Sequence, residues 1–293
     1  MTFARPVANA LTFDVEDWHQ LVGTRLTGTT QPCSPHCVEQ TREILATLAD
    51  AGVHATFFVL ANVAETYPAL IREIQAAGHE VASHGWSHRR VYTQDRAEFA
   101  AETARSKALL EDILGAPVAG YRAAEFSITA ASRWALDVLA ELGFRYDSSI
   151  FPIRGGRYGI EGAPLAPHRV RVAAGDIVEV PMTAVEWRGR RWPVGGGGYF
   201  RLMPYALTRA AIASVNAAGR GAVIYFHPYE FSRAHLRLAL PAWHQYVTGA
   251  RYSVLHNFNR GTNRRRFARL LREFRFQTIS AILDHGPANQ EVL

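Results

Sequence analysis

Several features that identify whole classes of protein are scarce or missing in this sequence. The only two cysteines, Cys33 and Cys37, are too few for a disulfide scaffold, and we interpret them as free thiols rather than as a disulfide or a metal pair. No stretch approaches the roughly 18 apolar residues that a membrane span requires. Residues 1–7 contain no apolar segment of the kind found in a signal peptide. We therefore expect a cytoplasmic protein without a transmembrane segment.

Lysine is nearly absent, since Lys107 is the only one and the other basic residues are arginines. The 32 basic and 26 acidic residues leave a net charge of +6, which permits an acidic partner without requiring one. Arginines between residues 260 and 275 alternate with apolar residues at spacings of three and four, which predicts an amphipathic helix with a solvated basic face. No nucleic-acid-binding motif accompanies this helix, so we expect no nucleic-acid partner.

What the sequence does contain is an alternation of strands and helices. Apolar runs predict strands at 8–13, 54–60, 80–83, 120–124, 144–149, 177–180 and 222–226. Amphipathic segments predict helices at 37–51, 68–77, 93–114, 130–142 and 204–218. This order is typical of parallel strands with helices outside, and 293 residues are enough for one α/β barrel. Residues 150–200 have a looser pattern.

Polar side chains follow four of the predicted strands where each strand ends. Because the carboxyl ends of parallel strands meet at one face of a barrel, we expect these side chains to converge there. Two histidines four residues apart can bind one divalent ion, and a helical turn would put both on one face. The pattern predicts a metal held by two histidines and one carboxylate, with positions left for water and substrate. The residues concerned are Asp14, Glu16, Asp17, His84, His88, Arg122 and His227.

These motifs resemble those of the NodB-type polysaccharide deacetylases, in the order in which that family has them. The matching stretches are Leu-Thr-Phe-Asp14-Val-Glu-Asp-Trp, Ser-His84-Gly-Trp-Ser-His88, Gly-Tyr-Arg122-Ala-Ala and Ile-Tyr-Phe-His227-Pro. The stretches around Asp147 and from 193 to 201 resemble one branch of the family, which lies in exopolysaccharide loci associated with exosortase and PEP-CTERM proteins. The resemblance covers residues 8 to about 276.

The resemblance implies a distorted (β/α)7–8 barrel that removes the acetyl group from an N-acetylated amino sugar of a poly- or oligosaccharide. It implies one domain over 1–293, with 235–293 as a helical extension at the C-terminal end. In these terms Asp14 is the general base, Arg122 orients it and keeps it ionised, and His227 is the general acid. His84 and His88 bind one divalent metal, for which zinc is the first expectation and cobalt, nickel or iron are alternatives. The saccharide acceptor is possibly lipid-linked, and the oligomeric state stays open.

The third metal ligand is ambiguous, because Val15 separates Asp14 from two further carboxylates. Position favours Glu16 and residue type favours Asp17, and the sequence interpretation prefers Asp17 narrowly. A second departure from the family pattern is Ala124-Glu125 in the place of a proline and a small residue. This departure keeps open the alternative of a catalytically silent sugar-binding protein. A second alternative is an amidohydrolase of cyclic ureides, because the same fold includes such enzymes with a similar arrangement of aspartate and arginine.

Aromatic residues near the motifs are candidates for stacking on sugar rings, although packing in the pocket wall is an equal alternative. The candidates are Trp86, Tyr121, Trp192 and Tyr199. A run of four glycines at 195–198 lacks the Lys-Ser or Lys-Thr that a nucleotide-binding loop requires. We interpret the run as a loop whose backbone approaches a ligand closely, with Gly197 as its candidate contact.

Overall fold

The structure is a computed structural model that describes residues 7–24, 32–232 and 243–285. The strands are β1 (Asn9–Val15), β2 (Thr56–Val59), β3 (Glu80–Ser83), β4 (Gly120–Tyr121), β5 (Tyr146–Asp147), β6 (His168–Val172), β7 (Gly175–Glu179), β8 (Ala184–Trp187), β9 (Arg190–Pro193), β10 (Val223–Phe226) and β11 (Phe276–Gln277). The helices are α1 (Pro35–Ala51), α2 (Ala61–Thr66), α3 (Pro68–Ala76), α4 (Arg96–Leu114), α5 (Ala135–Glu141), α6 (Gly197–Leu202), α7 (Tyr205–Ala217), α8 (Trp243–Asn257), α9 (Arg260–Glu273) and α10 (Ile279–His285).

The main sheet is almost entirely parallel. Its strands follow the order β10-β1-β2-β3-β4-β5-β7-β6, and only β6 is antiparallel to its neighbour. The short β11 pairs in parallel with the first residues of β1. Because the strands are parallel, the residues that follow β1, β3, β4 and β10 all emerge at the same end of the sheet, the carboxyl end of its strands.

The sheet curves until its two ends meet. The Thr183 hydroxyl, beyond β7, donates to the Val223 carbonyl of β10 (2.9 Å) and accepts from the Val223 N–H (2.6 Å). The Tyr225 N–H donates to the Gly195 carbonyl at 2.8 Å, and Gly196 forms a parallel bridge to Tyr225. The expected α/β architecture of a distorted barrel is confirmed.

Local sequence signals fix the helix ends. Helix α1 begins after Ser34 with Pro35 in its first turn, and it ends at Gly52, whose φ of 62° is the left-handed conformation that glycine adopts most easily. Helix α4 begins with a capping box in which Asp95 and Glu98 satisfy each other's backbone N–H groups. These ends agree with the sequence prediction to within a few residues.

An aromatic cluster fills the space between the sheet and the helices on one side. The ring of Phe13 in β1 stacks on Phe57 in β2 at 5.0 Å and contacts Phe226 in β10 at 6.1 Å. Phe267 of α9 packs edge-on against Phe13 at 6.1 Å. Burying such rings is worth about 1.5–3 kcal/mol each. Helix α9 is therefore part of the core, although its outer face is basic.

The structure differs from the sequence prediction mainly between residues 150 and 203. The segment interpreted as irregular contains regular elements, namely the strand β6, the hairpin of β8 and β9 and the short helix α6. Glycines 197 and 198 lie in α6 rather than in a loop. The predicted C-terminal extension includes α8, α9 and α10, while its residues 235–242 and 286–293 lie outside the described ranges. No helix within the described ranges has the length and apolarity needed to cross a bilayer.

Candidate metal centre and catalytic pocket

Three of the strand-end residues form a compact buried cluster. Glu16 follows β1, and His84 and His88 follow β3. One ligand atom from each residue lies within 4.8 Å of the corresponding atoms of the other two. The three residues are at most 5% exposed. Their convergence follows from the parallel register, since Asp14 of β1 is level with Phe58 of β2, and Phe58 is level with Ala82 of β3.

The tautomer of His84 leaves one ring nitrogen available to a metal. Its Nδ1 lies 2.8 Å from the backbone carbonyl of Arg122. A carbonyl oxygen only accepts hydrogen bonds, so Nδ1 carries the proton and Nε2 has the free lone pair. Burial also lowers the pKa of His84, although nearby Asp14 and Glu16 oppose this change, and the net effect favours the neutral imidazole that binds metals.

His88 reaches the cluster from a strained loop rather than from a helix, which corrects the expected helical turn. Gly85 has a φ of 77° and His88 a φ of 59°, so both lie in the left-handed region. For a non-glycine residue this conformation costs of order 1–3 kcal/mol and is typical of functional sites. The loop is held by the Ser87 N–H and hydroxyl, which donate to Glu102 Oε1 at 3.0 and 2.6 Å.

The carboxylate of Glu16 fits a bound cation. Its Oε2 lies 2.8 Å from His88 Nε2, and its Oε1 lies 3.2 Å from His227 Nε2. Yet neither oxygen accepts a hydrogen bond of normal geometry, although both are buried. Burial raises the pKa of Glu16, but the charges and contacts of His88 and His227 outweigh burial and hold the pKa well below its usual range. Two imidazoles and one ionised carboxylate are donors that zinc and other divalent transition metals accept.

Asp17 is not part of this cluster, and the narrow preference for it as the third ligand is corrected. Its Oδ2 accepts hydrogen bonds from the N–H of Ser34 at 2.8 Å and from the Ser34 hydroxyl. Ser34 is the residue immediately before α1. Asp17 therefore ties the end of β1 to the start of α1, and of the two candidate carboxylates only Glu16 joins His84 and His88.

Asp14 and Arg122 form a buried ion pair beside the cluster. Arg122 Nη1 donates to Asp14 Oδ1 at 2.7 Å and to the Thr12 hydroxyl at 2.8 Å. Its other donors bind the carbonyl and the hydroxyl of Ser148, both at 3.0 Å. The guanidinium lies over the ring of Phe58, with its central carbon 4.0 Å from the ring centroid. Arg122 is therefore fixed on several sides, and it fixes Asp14 in turn.

His227 follows β10 and approaches Glu16 from the opposite side. Its backbone N–H donates to Glu230 Oε2 at 3.0 Å, and its Nδ1 lies 3.6 Å from the same oxygen. Arg201 lies 3.5 Å from the other oxygen of Glu230. Burial lowers the pKa of His227, but close contact with the carboxylates of Glu16 and Glu230 outweighs burial and raises the pKa to about 10. The imidazole is therefore protonated at neutral pH and can donate a proton.

These groups line a cavity of about 400 Å³ at the carboxyl ends of the strands. Tyr199, an expected sugar contact, lines this cavity, and its hydroxyl lies 3.2 Å from the Tyr158 hydroxyl. Glu125, the unusual residue after Ala124, also lines it with a left-handed φ of 53°, and it pairs with Arg157 at 3.5 Å. The cavity thus has charged groups at its floor and tyrosines in its wall.

The other proposed sugar contacts lie elsewhere. Tyr121 is buried in the core against Phe99 and Phe144, with ring centroids 5.9 and 5.6 Å apart. Trp86 is covered by the guanidinium of Arg105, 3.5 Å from its ring centroid. Trp192 is 47% exposed on the β8–β9 hairpin, outside the cavity wall.

Gly197 does permit a close approach, but to a residue of the protein. A Cβ at this position would lie 1.8 Å from Oε2 of Glu230. Sequence reasoning gave no role to Glu230 or Arg201. The position of Glu230 three residues after His227 was the available signal, because that spacing closes a turn at the end of a strand.

Comparisons with known proteins agree with this geometry. Residues 8–146 match the family model described as polysaccharide deacetylase, and residues 148–284 match one described as a domain of unknown function, DUF3473. A chitooligosaccharide deacetylase of Rhizobium leguminosarum bv. trifolii is 46% identical over 55 residues, which cover 19% of this chain and 24% of that protein. Matches to other curated deacetylases also cover less than half of each relative.

Two solved structures share the fold over almost the whole chain. One is a protein of Mycobacterium smegmatis described as a candidate polysaccharide deacetylase, with a TM-score of 0.63, 22% identity, and coverage of 97% of this chain and 91% of that one. The other is the allantoinase PuuE, with a TM-score of 0.62, 15% identity, and coverage of 96% and 90%. At these identities the likeness shows the fold alone. The chain thus resembles polysaccharide deacetylases in sequence over residues 8–146, and it shares the fold of the two solved structures over almost its whole length.

Proposed function

We propose that this protein is a metal-dependent hydrolase that removes the acetyl group from an N-acetylated amino sugar of a poly- or oligosaccharide. One observation carries the proposal: the Glu16–His84–His88 cluster, Asp14 and His227 line a single cavity, and Arg122 pairs with Asp14 behind it. The curated relatives are named for deacetylation of chitin, chitooligosaccharides and peptidoglycan, all of which contain N-acetylated sugars.

Glu16, His84 and His88 would hold the divalent ion. When bound, such an ion polarises an amide carbonyl and lowers the pKa of a bound water. We propose zinc as the first candidate, with cobalt, nickel or iron as alternatives, because two imidazoles and a carboxylate suit all four ions. His84 needs no change of tautomer for this role, since it already presents the lone pair of Nε2.

Asp14 is the proposed general base. Its Oδ1 is held by Arg122, which leaves Oδ2 to accept the proton of the attacking water. Arg122 is the proposed positioning residue, because its four hydrogen bonds to Thr12, Asp14 and Ser148 allow the pair a single arrangement. A fixed carboxylate loses little free energy to reorganisation when the reaction occurs.

His227 is the proposed general acid. An amine leaves an amide only after it gains a proton, and a histidine with a raised pKa can supply that proton. Glu230 orients the imidazole, and Arg201 holds the carboxylate of Glu230. The ring of Tyr229 stacks on His227 with centroids 5.2 Å apart and an interplanar angle of 22°, which further restricts the imidazole.

The finer predictions belong to this proposal as well. A cytoplasmic location, a role in exopolysaccharide biosynthesis and membership of the exosortase-associated branch stay predictions from the sequence. A single domain over 1–293 is proposed because β1, from the deacetylase match, pairs with β10 and β11 from the second match. Such pairing joins both matched regions in one sheet.

The test is acetate release from N-acetylated chitooligosaccharides by the metal-loaded protein, with allantoin as a parallel substrate. Asp14→Asn should lower the rate by about 10²–10⁴-fold, the range for loss of a general base. Asp17→Asn is the matched control, because it makes the same chemical change in a neighbouring carboxylate that binds Ser34 outside the cluster. The proposal would be contradicted if neither the wild-type protein nor Asp17→Asn released acetate, or if allantoin were turned over instead.

A further inference from the structure

Large apolar side chains are exposed on α8 and next to it. Val254 is 71% exposed, Leu255 45% and Phe258 58%, and Leu202 at the end of α6 is 49% exposed. Single exposed apolar residues are ordinary on protein surfaces, but a group of four on adjoining elements indicates an interaction surface. We call these four residues the apolar group.

A groove of about 650 Å³ adjoins the apolar group. Leu202 and Phe258 line it together with Tyr205, Arg265, Arg266 and Arg269, and none of the described residues that line it is acidic. Arg266 donates to the Met203 carbonyl and Arg269 pairs with Glu273 at 2.6 Å, so these two are partly engaged. Arg265 is exposed on the same helix. The groove therefore presents positive charge beside exposed hydrocarbon.

The apolar group also borders the catalytic cavity. Tyr252, Leu255 and His256 of α8 line the cavity, whereas Phe258, just beyond the end of α8, lines the groove. Leu255 therefore belongs both to the apolar group and to the cavity wall. A flat partner that contacts the apolar group would touch a residue that also lines the cavity of Asp14 and His227.

We propose that the apolar group and the groove dock the protein on a lipid bilayer that contains anionic headgroups. Arginines attract such headgroups, and the neighbouring leucine and phenylalanine side chains enter the acyl boundary. A soluble polyanion would use the arginines but would leave four apolar side chains in water. A second copy of the chain would bring the same arginines together, because a symmetric contact pairs each patch with itself.

This inference rests on the proposed function, and it narrows the substrate to an N-acetylated saccharide carried on a lipid. Because Leu255 belongs both to the docking surface and to the cavity wall, a headgroup sugar can enter the cavity while its lipid stays in the bilayer. Docking replaces a search in three dimensions with one in two, which raises the local concentration of the sugar at the cavity.

The experiment is co-sedimentation of the full chain with vesicles of phosphatidylcholine alone, or with about one third phosphatidylglycerol. Arg265→Glu and the double variant Val254→Ser/Phe258→Ser test the two components. The controls are Arg72→Glu on α3 and Trp187→Ser on β8, since Arg72 is exposed and Trp187 is 58% exposed, like Phe258. Far-UV circular dichroism checks that each variant is folded, and acetate release from a soluble oligosaccharide is measured separately.

The proposal is supported if vesicle binding requires phosphatidylglycerol, if the binding affinity falls at least about fivefold in each test variant, and if it is unchanged in the controls. One arginine at an anionic surface contributes roughly that factor. Wild-type protein that does not bind, test variants that bind as wild type does, or equal affinity for soluble heparin would overturn it. A dimer that Phe258→Ser dissociates would also overturn it. Because sedimentation needs no turnover, failure of docking and failure of deacetylation are separate results.

Discussion

The substitution Gly197→Ala tests how closely the glycine run must approach the proposed acid. The new Cβ would lie 1.8 Å from Glu230 Oε2, 2.5 Å from its Cδ and 2.6 Å from its Oε1, distances that no real contact tolerates. Glu230 is 1% exposed and accepts a hydrogen bond from the His227 N–H, so it cannot withdraw without losing that bond. The carboxylate or α6 must therefore move.

We expect two consequences of this displacement. Overpacking of a buried site costs about 1–3 kcal/mol, which lowers Tm by roughly 2–5 °C in a chain of this size. Displacement of Glu230 also releases His227, and misplacement of a catalytic group by about 1 Å costs on the order of 100-fold in rate. The measurements are a thermal melt and acetate release from an N-acetylated oligosaccharide.

Gly198→Ala is the matched control, because it adds the same methyl group one residue later in α6. A Cβ at Gly198 meets no atom within 4 Å. Alanine in a helix is favoured over glycine by about 0.5–1 kcal/mol, so this variant should be as stable as wild type or slightly more so. Because Gly198 lines the catalytic cavity, it controls for the melt rather than for the rate. Equal melts for the two variants would refute the reasoning.

Further predictions concern the metal and the pH dependence of stability. Glu16→Gln should abolish the rise in Tm that added zinc produces, whereas Asp17→Asn should retain it, because only Glu16 lies with His84 and His88; an unchanged response in Glu16→Gln, measured by differential scanning fluorimetry, would exclude Glu16 as a ligand. Burial raises the pKa of Glu179 well above its usual value of 4.5, and the adjacent Asp147 raises it further. A raised folded-state pKa stabilises the protein fully below 4.5, and the stabilisation is lost as pH rises toward the folded value. Glu179→Gln, which cannot ionise, should therefore show a flatter loss of unfolding free energy than wild type as pH rises above 4.5. The wild-type slope reaches at most about 1.4 kcal/mol per pH unit for one proton. Parallel plots of unfolding free energy against pH for the two proteins would refute the contribution of this carboxyl.

The order of the elements was predictable because it depends on local signals. Apolar runs and capping residues located β1, β2, β3 and β10 and the helices between them, and the parallel arrangement followed from their alternation. The hairpin of β8 and β9 was missed because its exposed face carries tryptophan and arginine in place of an alternating apolar pattern. Its turn has Arg188 and Gly189 in left-handed conformations, with φ of 51° and 70°.

The sequence alone determined which polar residues lie at the carboxyl ends of strands and so meet at one face of the barrel. They are Asp14, His84, His88, Arg122 and His227. That placement needs only the strand periodicity and the parallel direction.

The tertiary structure decided between the two candidate carboxylates. Residues 16 and 17 are neighbours in the chain, but Ser34 at the start of α1 binds Asp17, which leaves Glu16 to face the histidines. It also brought Gly197 against Glu230, 33 positions later, and Arg201 beside both. Contacts between distant residues depend on how helices pack over the sheet, and no local periodicity encodes that packing.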